Sequence, residues 1–128
     1  MSYYFAKTLR MPFAEAVERV TSALAAKGFG VLTTIDVKAT MKKKLDVEMR
    51  PYTILGACNP AFAYRALEAE DKIGTMLPCN VIVQALGADE VEVAAVDPVA
   101  SMQAIDNPAL AATAGEVRDL LKQAVDSL

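Results

Sequence analysis

The order of strand-like and helix-like segments predicts an α+β fold. It consists of a largely antiparallel five-stranded sheet with two long helices on one face and short extra helices. Five segments are rich in β-forming residues, and they lie at 2–9, 29–35, 49–58, 79–86 and 90–96. Only Gly87-Ala88-Asp89 separates the last two, which is typical of a hairpin between antiparallel strands. Because an amphipathic helix buries its apolar stripe, the two long helices are expected on one face of the sheet.

The first half of the chain alternates strands with helices. Pro12 is typical of a first helical turn, and Gly28 is typical of a left-handed residue that ends a helix. Between them an apolar stripe recurs at helical spacing, formed by Phe13, Val17, Val20 and Leu24. Asp36 predicts the cap of a short helix after the second strand. The residues expected to share one face of that helix are Val37, Met41 and Leu45.

In the second half, Asn59-Pro60 and Asn107-Pro108 each predict a helix start, because an asparagine cap precedes a proline in the first turn. The first of these helices is expected to turn Phe62, Ala63, Ala66 and Leu67 inward. The second carries the stripe Leu110, Ala114, Val117, Leu121, Ala124 and Leu128. The segment 71–78 is predicted to be a connection. Valines alternate with glutamates in the last strand, which indicates one solvated face.

Composition bounds the function. A chain of 128 residues fits one domain, 1–128. The net charge of −3 and the pI of about 4.9 disfavour a nucleic-acid partner, since binding to phosphates needs a basic surface. The chain contains no histidine, which excludes Ser-His-Asp and Cys-His catalysis and histidine-bound zinc. No dinucleotide, Walker or nucleophile-elbow motif occurs, so no cofactor is predicted.

The distribution of polar residues disfavours a membrane location. The longest uncharged stretch, 73–88, is interrupted by Pro78, Asn80 and Gln84, and it is shorter than the ~18–20 apolar residues of a spanning helix. The first residues lack the basic start and apolar core of a signal peptide. We therefore expect a cytoplasmic protein with no membrane partner. In that compartment a structural disulfide between the two cysteines is not expected.

The two cysteines lie in related motifs, Gly56-Ala57-Cys58-Asn59-Pro60 and Leu77-Pro78-Cys79-Asn80. The first ends a strand and begins a helix, and the second begins a strand. If the strands are neighbours, both thiols and both amides could meet at one edge of the sheet. A helix N-terminus favours a thiolate at Cys58, and its N–H groups favour an anionic ligand.

Other interpretations of the cysteines remain open. Free cysteines are among the most buried residue types, Asn59 is accounted for as a helix cap, and Asn80 could bond loop backbone. The two thiolates with Met76 or Met49 could suit Cu(I), but no metal site is predicted.

Two further residues are candidates for ligand contact. Lys44 ends the run Lys42-Lys43-Lys44, which could gather an anion, although such a run more often stabilises a helix end as a solvated face. Tyr52 lies before the first cysteine motif and could line a cleft, although packing is the commoner role of such a tyrosine.

The chain closely resembles a prokaryotic family, the "domain of unknown function 302". The resemblance rests on 52–60 (YTILGACNP) and 77–81 (LPCNV), with Ala66-Leu67 between them and Asp97-Pro98 after them. It covers most of the chain and is densest from Asp36 to Pro98. It implies a β-α-β(4)-α fold of the TATA-binding-protein-like type and a homodimer. It supplies no catalytic residues.

Three hypotheses for the function follow. The first is a non-enzymatic module that binds a small anionic or amphipathic ligand near Cys58, Asn59, Cys79 and Asn80. The second is a thiol-dependent redox enzyme or sulfur carrier, with Cys58 as nucleophile and Cys79 as resolving thiol. The third is a homodimeric scaffold for a protein partner, which an uncovered apolar patch would favour.

Overall fold

Five strands form one antiparallel sheet in the computed structural model, which describes residues 2–128. They are β1 (Tyr4–Leu9), β2 (Gly30–Asp36), β3 (Tyr52–Cys58), β4 (Cys79–Gly87) and β5 (Glu90–Val96). Their order across the sheet is β1-β5-β4-β3-β2, and each neighbouring pair is antiparallel. The predicted α+β class and five-stranded antiparallel sheet are confirmed.

The helices are α1 (Phe13–Ala26), α2 (Val37–Leu45), α3 (Pro60–Ala69), α4 (Pro98–Ser101) and α5 (Pro108–Asp126), with a 3₁₀ helix at Asp71–Met76. The two long helices, α1 and α5, contact each other and pack on β4, β5 and β1. The order agrees with the expected β-α-β(4)-α arrangement, in which α2, α3 and α4 are the extra helices. No helix among residues 2–128 is long and apolar enough to cross a membrane.

The core lies between the sheet and the two long helices. In β4 and β5, every second side chain is fully buried: Val81, Val83, Val91, Val93 and Ala95. Strand alternation explains this pattern, since residues two apart share a face. The valines contact Val20 and Leu24 of α1 and Leu121 of α5 within one cluster. Burial of each such side chain contributes roughly 1.5–3 kcal/mol, so this layer is the main source of stability.

A second, smaller cluster lies beside the main core. Ala66 of α3, Ile73 of the 3₁₀ helix and Leu110 of α5 are buried together, and Leu77, Met102 and Ile105 pack against them. The segment 71–78, predicted as a connection, therefore contributes a fully buried side chain through Ile73. This cluster links α3 to α5 and closes one end of the molecule.

The helix α3 differs in part from its predicted face, whereas α2 has the predicted Asp36 cap but contributes nothing to the core. Leu67 of α3, expected inward, is 43% exposed, because α3 packs on α5 through Ala66 instead. No residue of α2 is buried, and Leu45 is 65% exposed. The helix α2 lies within the connection between β2 and β3, so it covers little of the core.

The sheet face opposite α1 and α5 is accessible, and we call it the open face. One row of apolar side chains crosses all five strands, because successive cross-strand partners are Ile35, Ile54, Ile82, Ala94 and Ala6. On one side of this row lie Tyr4, Val96, Asn80 and Gly56, and on the other lie Glu92, Gln84 and Tyr52. A shallow depression of about 400 Å³ lies in this face.

Candidate ligand-binding site

The strand register brings the two cysteine motifs together. In the antiparallel pair β3–β4, Ala57 is the direct partner of Cys79, so Cys58 lies one residue beyond that pair. Asn59 follows Cys58 and caps α3, its side-chain oxygen accepting from the Phe62 N–H at 3.4 Å. Three of the six predicted site residues, Cys58, Asn59 and Cys79, therefore lie around one point at the end of the two strands.

A cavity opens at this point, and we call it the cysteine cavity. The centre of a water-sized sphere can occupy about 40 Å³ of this cavity. That volume is enough for roughly three waters or a short alkyl segment. None of its 16 lining residues carries a charge. These residues come from the turn before β2, the β3–α3 junction, the start of β4, and the helices α4 and α5. They are Phe29, Ala57, Cys58, Asn59, Phe62, Ala63, Ala66, Leu77, Pro78, Cys79, Pro98, Met102, Leu110, Thr113, Ala114 and Val117.

The first turn of α3 has few backbone N–H groups without a hydrogen-bond partner. Pro60 has no N–H, the Phe62 N–H bonds the Asn59 side chain, and the Ala63 N–H donates to the Asn59 carbonyl at 2.9 Å. Among the first four positions this leaves the Ala61 N–H as the group not bonded to Asn59. An anion usually needs several free N–H groups at a helix start. The geometry therefore favours an apolar or amphipathic ligand over an anion bound at this helix end.

Cys79 is a buried thiol. It is 8% exposed and belongs to the main core cluster. Burial, followed by the charge of the nearby Cys58, raises the pKa of Cys79 to about 11. Cys79 is therefore protonated at neutral pH, which disfavours a role as a resolving thiolate.

Cys58 is half-buried and pairs with Gly30 of β2. Strand alternation directs neighbouring side chains to opposite faces. Alternation alone would send Cys58 to the face opposite Cys79 and Ala57, but Cys58 is the last residue of β3 and lines the same cavity as Cys79. Both are free thiols. The cavity therefore brings both thiols to one site, and the raised pKa of Cys79 is what disfavours a paired-thiol mechanism.

Asn80 and Tyr52 do not join the cysteines. Both lie on the open face and line its shallow depression. Each is one strand position away from a side chain that faces the core, so each points to the opposite face. The expectation that both amides meet beside both thiols is corrected here. Asn59 lies at the cavity, and Asn80 lies on the other side of the sheet. The two strands are neighbours, which was the condition for this expectation, but the face of each side chain depends on the register.

Lys44 lies away from the cavity. It is an exposed residue in the last turn of α2 and lines neither the cysteine cavity nor the open-face depression. Its neighbour Lys42 pairs with Asp46 at 2.7 Å and with Glu48 at 3.1 Å. Those carboxylates raise the pKa of Lys42. The solvated-face interpretation of the lysine run agrees with this arrangement.

The copper hypothesis named two methionines that lie away from the cysteines. Neither Met76 nor Met49 lines the cysteine cavity, whereas Met102 does. Within residues 2–128, no group of three or more His, Cys, Asp or Glu side chains is placed to hold a metal ion. The sequence did not identify the cavity residues of α4 and α5. Met102, Leu110 and Ala114 are apolar, and in the sequence they cannot be distinguished from residues of a core stripe.

Fold and site together define a small α+β protein whose helices, on one face of an antiparallel sheet, enclose an apolar cavity beside two free thiols. The sequence model of the family "Domain of unknown function DUF302" matches residues 5–128, so the chain belongs to this family. The resemblance seen in the sequence is confirmed. The chain is similar to the uncharacterized conserved protein DUF302 from Bacillus stearothermophilus, known from a crystal structure. The TM-score is 0.89 and the identity 25%, over 98% of each chain. No curated protein matches this chain.

Proposed function

We propose that this protein is a non-enzymatic binding module that takes up the apolar part of a small amphipathic ligand in the cysteine cavity. The observation that carries the proposal is an uncharged cavity at the point where the two cysteine motifs meet. Ligand pockets are mostly apolar, with a few polar groups that orient the ligand. Here those groups are Asn59, Thr113 and the Cys58 thiol.

Thiol chemistry is the weaker alternative. It requires a thiolate at neutral pH and, in its two-thiol form, a second thiol that can exchange with the first. The raised pKa of Cys79 works against the two-thiol form. A non-covalent role uses the same residues as part of the cavity wall.

Binding to the cavity is tested with neutral amphiphiles, namely short alkyl alcohols and N-alkyl amides, in NMR titrations of the protein's methyl signals. We expect saturable shifts at Ala63 and Met102, which line the cavity. Ala63→Leu fills space in the cavity and should weaken binding about tenfold or more. The matched control is Ala61→Leu, an exposed position on the same helix that does not line the cavity. Equal affinities in the two variants, or no saturable shift, would contradict the proposal.

A second candidate function is supported by the open face. Its apolar row crosses five strands, and Tyr4 and Ile35 at its margins are 44% and 46% exposed. Contiguous apolar patches of this kind mark interaction sites. We propose a second copy of the chain as the partner, because a two-fold axis parallel to the face sets the same apolar row against itself. This role is compatible with ligand binding, since the cysteine cavity lies toward the helices.

A further inference from the structure

A second cavity lies beside the cysteine cavity. It holds about 200 Å³ by the same measure and lies between α4, the loop that follows it, and α5. Met102, Leu110 and Ala114 line both cavities, so these three side chains form the shared wall. Like the first cavity, the second has no charged residue in its lining. The two cavities are therefore neighbours on either side of this wall.

Met102 is the adaptable part of that wall. A methionine has three rotatable side-chain bonds and fits irregular apolar space, whereas Ala114 has none. The segment that carries Met102 is anchored at both ends: Arg118 of α5 donates to the Asp97 carboxylate at 3.1 Å, and the Asn107 amide donates to the Ala69 carbonyl at 2.8 Å. A change of the Met102 side-chain rotamer would therefore alter the shared wall while the anchored ends stay in place.

A cation lies beside Phe62, which lines the cysteine cavity. The Arg65 guanidinium stacks on the ring of Phe62, a lining residue, with 4.5 Å between its carbon and the ring centroid. Arg65 also pairs with Glu116 of α5 at 3.3 Å, and both side chains are about half exposed. An ion pair this exposed is weak, so a competing carboxylate can replace Glu116.

Resting on the proposed function, we propose that the ligand is an unbranched alkyl carboxylate. Its chain enters the cysteine cavity, passes Met102 and ends in the second cavity. Its carboxylate remains at the rim and pairs with Arg65. A single unbranched chain fits because the shared wall has one adaptable side chain, which leaves a narrow passage rather than a wide pocket.

The first experiment measures the affinity of straight-chain acids from butanoate to dodecanoate, below their micelle concentrations, by NMR titration or calorimetry. Each buried methylene should raise the affinity about fourfold. The gain should continue beyond the length that fills the cysteine cavity and then reach a plateau. A gain that already stops at butanoate would overturn the assignment of the second cavity.

Ala111→Phe tests the second cavity directly, since Ala111 lines it and does not line the cysteine cavity. We expect short acids to bind as in the wild type and long acids to fall to the affinity of short ones. The matched control is Ala112→Phe, an exposed neighbour on α5 that lines neither cavity. Identical chain-length profiles in both variants would overturn the proposal.

Arg65→Gln tests the head group. Acids should bind about three- to fivefold more weakly, while alkyl alcohols of the same length should be unaffected. Glu116→Gln, which frees Arg65, should strengthen acid binding to a similar extent. Unchanged acid binding in Arg65→Gln, or an equal loss for alcohols, would overturn the role of Arg65.

The failures of the two proposals are distinguishable. If alcohols bind and Ala63→Leu abolishes this binding, but acids show no gain with chain length, the binding module stands and the alkyl carboxylate is wrong. If neither class binds, or if binding is insensitive to Ala63→Leu, the cysteine cavity is not a ligand site and both proposals fail.

Discussion

Gly56 is the residue at which the two cysteine motifs touch. A Cβ at this position would lie 2.2 Å from the Thr33 Oγ1 and 2.8 Å from the Pro78 Cγ, which is closer than atoms can approach. The glycine of the first motif thus leaves room for the proline of the second. Asn59 has a structural task as well, since it caps α3. Much of the paired motif is therefore explained by packing, and Cys58 is the residue whose role packing leaves open.

Gly56→Ala should destabilise the protein by about 2 kcal/mol, because the added methyl group overpacks against Thr33 and the Pro78 ring. Urea denaturation measures this as a lower midpoint. Gly30→Ala is the matched control, since a Cβ at this strand position has no atom within 4 Å. A midpoint for Gly56→Ala as high as that for Gly30→Ala would contradict the close approach.

The buried thiol of Cys79 predicts a pH dependence of stability. Its pKa is about 11 in the folded state, against 9.0 for the free group, so the folded state retains the proton longer. The resulting stabilisation is complete below about pH 9 and is lost as the pH rises toward about 11. The loss amounts to about 2 kcal/mol.

The measurement compares the free energies of unfolding of the wild type and Cys79→Ala between pH 8 and pH 11. We expect the difference between them to shrink by about 2 kcal/mol over this range. In Cys58→Ala, which retains Cys79, the wild-type fall should persist in large part, because burial is the main cause of the raised pKa. Parallel pH profiles for the wild type and Cys79→Ala would show that Cys79 does not titrate as stated.

At the scale of elements, Asp97 joins β5, α4 and α5. Its carboxylate accepts from the N–H groups of Val99 and Ala100 at 3.0 and 3.4 Å, which caps α4. The other oxygen accepts from the Arg118 Nε at 3.1 Å. Asp97 is 8% exposed, so these partners replace water that the carboxylate has lost. One side chain therefore fixes the helix that supplies Pro98 and Met102 to the cavity.

Asp97→Ala should lower the free energy of unfolding by about 2 kcal/mol, through loss of the cap and of the Arg118 pair. Asp97→Asn retains the capping oxygen and should cost about 1 kcal/mol. Asp119→Asn is the control, because Asp119 contacts the same arginine at 3.8 Å from an exposed position. Thermal and urea unfolding both measure the order of destabilisation among these variants. If Asp119→Asn destabilises the protein as much as Asp97→Asn, the special role of Asp97 is refuted.

At the scale of the whole molecule, the sheet has two unequal faces. The two long helices cover one of them, and the apolar row from Ile35 to Ala6 lies along the other. Rows with Asn80, Gln84 and Glu92 border it. An apolar centre with a polar rim is the usual composition of a protein interface. The proposed homodimer would bury this row, and the sequence motifs alone gave no reason to place the interface there.

Ile82→Lys should convert the proposed dimer to a monomer, because it places a charge in the middle of the apolar row. Light scattering coupled to size exclusion should give twice the chain mass for the wild type and the single mass for the variant. Leu67→Lys is the control, an exposed leucine on α3 that should leave the dimer intact. A wild type that stays monomeric at high concentration would exclude this interface.

The sequence determined the fold class and the strands and longer helices, because the signals for them are local. Asn59-Pro60 and Asn107-Pro108 start helices through a cap and a fixed backbone angle, and both start where predicted. Gly28, with a φ of 86°, ends its helix as expected. The alternation in β5 identified its buried face correctly, since side-chain direction in a strand follows residue number.

Only the tertiary structure decided which side chains share a site. Cys79 and Asn80 are adjacent in sequence, yet one faces the core and the other the open face. Successive side chains of a strand point to opposite faces of the sheet. Met102 and Ala114 enter the cavity through the packing of α4 and α5 against α3, which no local pattern encodes. A motif identifies residues that belong together along the chain, whereas register and helix packing determine which of them meet in space.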